Sequence, residues 1–239
     1  MSSEIKVFTE IYKSKSLPLK EDGAFYDQEH GLYALVDSFG APQPELFLKD
    51  LSSTITNSYL HMWGDENATR PVKNLKHLTL EGNALYNAIC FYHRLLYKKN
   101  AQSTQGRSGA AGAFLALSDD IVTAYNVGST SIWRIHPNGV EPVCSANKLA
   151  DKLFSGSYSI PGSGLGLFED LFLDIRQIHL GQDEIFIIMN SGLGSFVNYN
   201  DLRVIQKTKL PLDQFGHYLV NLALERGSQD HLSVMLLST

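Results

Sequence analysis

The chain has little of what marks a disulfide-stapled, membrane-spanning or nucleic-acid-binding protein. It has two cysteines in 239 residues. Cys90 falls in a helical pattern and Cys144 in an apolar segment, which reads as two buried thiols in a reducing compartment rather than a disulfide framework. Apolar runs such as 185–189 are far too short to cross a bilayer, and the first residues, Met1-Ser-Ser-Glu-Ile-Lys6, have no apolar stretch of the kind a signal peptide needs. Basic charge is thin as well: no basic run exceeds Lys98-Lys99, and 20 Lys and Arg against 25 Asp and Glu leave a net charge of -5. That excludes the electrostatic footprint of a nucleic-acid binder. No repeat, low-complexity tract or linker divides the chain. The expectation is one domain over residues 1–239, cytoplasmic, with neither membrane nor nucleic acid as a partner.

What is present is ample core material, 44% hydrophobic residues, in patterns that change period along the chain. Alternation over 4–12 and an apolar run rich in β-formers over 31–37 predict two strands bracketing a polar loop that holds Glu21-Asp-Gly23. Helical spacing follows over 44–63 and 78–97, with Lys98 and Lys99 suited to the C-terminal dipole. A Gly/Ser/Gln-rich loop over 102–109 leads into strand patterns at 113–117, 121–127, 131–135 and 140–143, joined by short turns such as Pro137-Asn-Gly139 and read as one antiparallel meander. Residues 147–154 are helical in pattern. Strands are expected over 171–178 and 182–189, then a helix N-capped by Asp213 and ending near Gly227, then a last strand over 232–237. This order predicts an α+β fold of two packed sheets with helices outside.

The strand Gly31-Leu-Tyr-Ala-Leu-Val-Asp-Ser-Phe-Gly40 ends on a carboxylate and then turns. Asp37 taken alone is more often a strand-end turn residue than a ligand. Asp119 and Asp120 read as solvated turn formers, and Gly162-Ser-Gly-Leu-Gly166 as an ordinary loop, since no strand and helix flank it as a dinucleotide loop requires.

Together with Glu21-Asp22, Ala124-Tyr-Asn-Val-Gly-Ser129, Phe186-Ile-Ile-Met-Asn-Ser-Gly-Leu193 and Glu225-Arg-Gly-Ser-Gln-Asp-His-Leu-Ser-Val234, this strand resembles the metal-dependent serine/threonine protein phosphatases of type 2C. The match runs in the family's order from about residue 20 to 239. It implies a four-layer sandwich of two antiparallel β-sheets flanked by helices, and Mg²⁺ or Mn²⁺ held by hard oxygen ligands. The resemblance puts Glu21 and Asp22 on the family's first acidic pair, Asp37 on the bridging Asp of D-G-x-G-G with the Ser38 carbonyl as a further ligand, and Asp230 on the Asp of the last motif.

The departures fall on the chemistry. The metal-binding Asp of the family's S-D-G is Ser191, which removes a full negative charge. The acidic residue of N-V-G-D-S-R is Ser129, and its Arg is Ser131. The phosphate-binding Arg upstream of the acidic pair aligns with Leu17; Lys15 and Lys20 lie close by, but a lysine does not reproduce a bidentate clamp. His231 replaces the Asn of D-N, either as a substitute ligand or as an ordinary partly buried histidine, and the eight histidines show no metal-ligand spacing. The resemblance so modified implies a pseudophosphatase, holding one ion or none, that binds a protein partner or phosphoprotein in phospho-signalling. The alternative is an active phosphatase with an altered metal site.

Overall fold

A computed structural model describes residues 5–14, 20–65, 67–104, 106–147 and 162–239. Two five-stranded sheets form the centre. One has the order β1 (Lys6–Tyr12), β10 (Leu232–Ser238), β9 (Ile185–Met189), β6 (Ser131–His136), β7 (Gly139–Cys144); the other has the order β2 (Lys20–Asp27), β3 (Leu32–Phe39), β4 (Gly109–Ser118), β5 (Ile121–Val127), β8 (Asp174–His179). Every pairing is antiparallel. The helices α1 (Pro44–Met62) and α2 (Leu80–Ala101) cover the second sheet, while α3 (Ser191–Gly194), α4 (Tyr199–Thr208) and α5 (Leu212–Glu225) lie with the first. The four-layer α+β sandwich implied by the resemblance is the observed architecture.

Strand periodicity explains how the layers meet. On β3, Leu32, Ala34 and Val36 join the core under α1 and α2, whereas Tyr33 and Leu35 join the core between the sheets. Both faces are covered, so the strand reads as a continuous apolar run instead of alternating with polar residues. On β10, Val234 and Leu236 face the helical layer while Met235 and Leu237 face the other sheet. By the same two-residue period, Asp37 follows Tyr33 and Leu35 toward the inter-sheet layer, and Asp22 lines up with Ala24. The apolar filling of the sandwich therefore gives way to carboxylates at one end.

Several expectations need correcting. Glu21 and Asp22 do not lie in a loop: they belong to β2, which pairs along its length with β3. The polar side chains hid an edge strand whose backbone is fully engaged on one side. The expected meander is two hairpins in different sheets, β4 with β5 and β6 with β7. The chain crosses between them at Gly128, whose φ of +80° and 2.7 Å approach of a built Cβ to the Ser163 carbonyl call for glycine. Asp213 lies in the first turn of α5, and Pro211 is the N-cap. The strand expected from 171 begins at Asp174. Neither α3 nor α4 was anticipated. The helical pattern over 147–154 lies, beyond Asn147, outside the described residues. Cys90 and Cys144 are buried free thiols, and burial raises their pKa values to about 11 and about 12. No helix among the described residues is long and apolar enough to cross a membrane.

Candidate functional site

The antiparallel register of β2 and β3 sets Asp22 directly opposite Asp37 and Glu21 opposite Ser38. Directly opposed residues have Cβ atoms about 4.5–5.5 Å apart, so two carboxylates of like sign, each only 3% exposed, share the end of the inter-sheet layer. Opposed like charges are destabilising unless something positive or hydrogen-bonding faces them. The Ser38 hydroxyl donates to the Glu21 carbonyl at 2.8 Å, tying the two strand ends together.

The hydrogen bonds come from the opposite sheet. β9 ends at Met189, and Asn190 caps α3, its Oδ1 accepting the Leu193 N–H at 2.9 Å and the Ser233 N–H at 3.2 Å. Its amide nitrogen donates to Asp22 Oδ2 and to the His231 carbonyl, both at 2.8 Å. The next residue, Ser191, donates its hydroxyl to Asp37 Oδ2 at 3.1 Å. Gly192 then packs against Asp230: a Cβ built there would lie 3.0 Å from the Asp230 Cβ and 2.1 Å from the His231 carbonyl oxygen. Asn190, Ser191 and Gly192 thus meet Asp22, Asp37 and Asp230 in turn, each through a neutral group.

The remaining expected positions are spread around this centre. Glu21 is ion-paired to Lys13, which extends from the end of β1. Asp230 accepts the His231 N–H at 2.9 Å. His231 is fully buried, and its ring nitrogens have no hydrogen-bond partner among the described residues. Ser129 and Ser131 line a cavity of about 150 Å³ with Trp133, Cys144 and Gly194, next to α3. Leu17, like Lys15, lies outside the described residues. Among the described residues no three His, Cys, Asp or Glu side chains converge as a metal-holding group. Asn190 is not among the residues that the motifs point to, although Asn is a favoured helix N-cap and could have marked the start of α3.

Neither protein-family models nor curated protein sequences match this chain. Solved structures do. PppA, a key regulatory component of T6SS in Pseudomonas aeruginosa, superposes with a TM-score of 0.78 at 16% identity, over 99% of this chain and 98% of its own. The serine/threonine phosphatase of S. agalactiae gives 0.72 at 18%, over 99% of both chains. The catalytic domain of the serine/threonine phosphatase PstP, solved in complex with two manganese ions, gives 0.69 at 14%, over 98% of this chain and 97% of its own. The chain has a type 2C phosphatase-like fold.

Proposed function

We propose that this chain is a catalytically impaired protein of the type 2C phosphatase fold, acting as a binding or regulatory module in phospho-signalling. The observation that carries the reading is the Ser191 hydroxyl donating to the buried Asp37 carboxylate, at the position where the resemblance implies a metal-binding Asp. A neutral donor to Asp37 Oδ2 adds no charge to hold a second ion, and the Asn190 amide meets Asp22 Oδ2 in the same way.

Against a two-ion centre stand the Ser191 hydroxyl in the place of an acid and the lack, among the described residues, of three His, Cys, Asp or Glu side chains grouped to hold a metal. Two carboxylates with water suffice for a single Mg²⁺ or Mn²⁺, so the reading allows at most one ion, on Asp37 with Asp22, Glu21 or both and the Ser38 carbonyl. Paired ions would activate water and clamp the phosphate; a site limited to one does neither well. A fold shared with phosphoprotein phosphatases supports a protein or phosphoprotein as partner, and two buried protonated thiols suit a cytoplasmic setting.

Turnover of a generic aryl phosphate in millimolar Mn²⁺ tests the reading. The expected rate is near background and changes little in Asp37→Ala. An ordinary phosphatase rate in the wild type, abolished by Asp37→Ala, would establish the active enzyme instead.

A further inference from the structure

Lys13 follows the last residue of β1 in one sheet, and its ammonium reaches across to Glu21 at the start of β2 in the other. Glu21 is one-seventh exposed there, its side chain showing 14% of its surface. The same ammonium also feels the charges of Glu45, in the first turn of α1, and of Asp22; with the Glu21 hydrogen bond foremost, these hold its pKa above the ordinary lysine value against a smaller effect of burial. One monovalent cation is therefore paired with Glu21, the residue next to Asp22 and directly opposite Ser38 in the β2–β3 register.

We propose that Lys13 is the resident cation of this site, a built-in counter-ion that occupies Glu21 and keeps divalent metal from the Asp22–Asp37 pair. The inference rests on reading Glu21, Asp22 and Asp37 as a former metal cradle. A lysine ammonium is a compact point charge on a flexible stem, so it balances Glu21 without the coordination geometry that chemistry at a metal needs. An incoming Mn²⁺ must displace it from Glu21 and tolerate its positive charge nearby. Lys13 is about half exposed, at 55% of its side chain, which screens much of that repulsion.

The test is Mn²⁺ titration by calorimetry, with thermal unfolding with and without Mn²⁺, on the full chain as wild type, Lys13→Met and Lys13→Arg. Removing the charge while keeping the stem should tighten Mn²⁺ binding by about tenfold, a modest fraction of the unscreened Coulomb effect, and should increase the metal-dependent rise in unfolding temperature. Lys13→Arg, which keeps the charge, should match the wild type. Equal Mn²⁺ affinity in wild type and Lys13→Met overturns the proposal, whether both bind or neither does. Lys13→Arg binding as tightly as Lys13→Met overturns it too, because charge would then not be the cause. None of these readouts is turnover, so an active wild type would sink the impaired-enzyme reading without deciding this one.

Discussion

At the scale of single residues, the end of the sandwich depends on Asn190. It is 1% exposed and makes four hydrogen bonds, two donated by its amide to Asp22 and the His231 carbonyl and two accepted by its carbonyl oxygen from the Leu193 and Ser233 backbones. One side chain thereby caps α3, pins the entry to β10 and faces a buried carboxylate in the opposite sheet. Asn190→Ala removes all four bonds in a buried site, where each polar group left unsatisfied costs about 1–3 kcal/mol before relaxation. With partial rescue by water, the expected loss is about 3 kcal/mol, measured as a lower urea midpoint at unchanged m-value. A loss below about 1 kcal/mol, within the range of an ordinary surface change, would show that Asn190 is dispensable. Asp37 was legible in the sequence because a strand-end carboxylate after an apolar run is conspicuous, whereas Asp22 was legible only through the family resemblance. Asn190 was not, because what makes it matter is a partner 168 positions away, and no local pattern carries such a pairing.

At the scale of elements, legibility followed the strength of the period. The long helices α1 and α2 and the strands with covered faces stood out, whereas α4, a ten-residue helix, did not. Its local signal was a capping box: Asn198 accepts from the Asp201 N–H at 3.3 Å and the Asp201 carboxylate accepts from the Asn198 N–H at 2.8 Å. Much of its anchoring is tertiary, since Arg226 after α5 forks onto both Asp201 oxygens at 2.6 and 2.8 Å. Which sheet a hairpin joins was also hidden, because alternation fixes the faces of a strand but not its neighbours.

The segment after Gly162 is fastened in a comparable way. His93 on α2 is buried, accepts the Gly166 N–H on Nδ1 at 3.1 Å and so presents Nε2–H to the Glu169 carbonyl at 3.3 Å. Burial is the main cause that lowers its pKa; Arg94 adds to the effect, while the Glu169 bond and Asp170 oppose it. A histidine held neutral in the fold contributes its full stability above the ordinary histidine range, and that contribution is lost as the pH falls from there through the depressed folded value. Protonation puts a second donor against the Gly166 N–H. Unfolding free energy measured across mildly acidic pH should therefore fall in the wild type and fall less in His93→Gln. The Asp201 contribution, whose carboxyl is held below its usual value chiefly by Arg226, disappears only at more acidic pH. Identical pH profiles for the two proteins would refute the assignment.

At the scale of the whole molecule, the site is a seam between the sheets. Asp22 and Asp37 come from one sheet, and Asn190, Ser191 and Asp230 from the segments that border β9 and β10 in the other. Any ion bound there would join the two halves of the sandwich, and any uncompensated charge would push them apart. Ser191→Asp tests this, because the new carboxylate replaces a hydroxyl that now lies 3.1 Å from Asp37 Oδ2. It removes a donor and adds a like charge in a place shielded from water. The variant should be less stable than the wild type without metal, by about 2–3 kcal/mol for a buried charge set against its own kind. Added Mn²⁺ should reverse the loss by mass action, roughly 2.7 kcal/mol at a hundredfold excess over the dissociation constant. Calorimetric stoichiometry should rise toward two ions, while the wild type binds at most one. Thermal unfolding of both proteins with and without Mn²⁺, beside a metal titration, reads both effects. If Ser191→Asp changes neither the stoichiometry nor the metal-dependent stabilisation, then Ser191 does not stand where a metal-binding carboxylate belongs, and the impaired-site reading loses its basis.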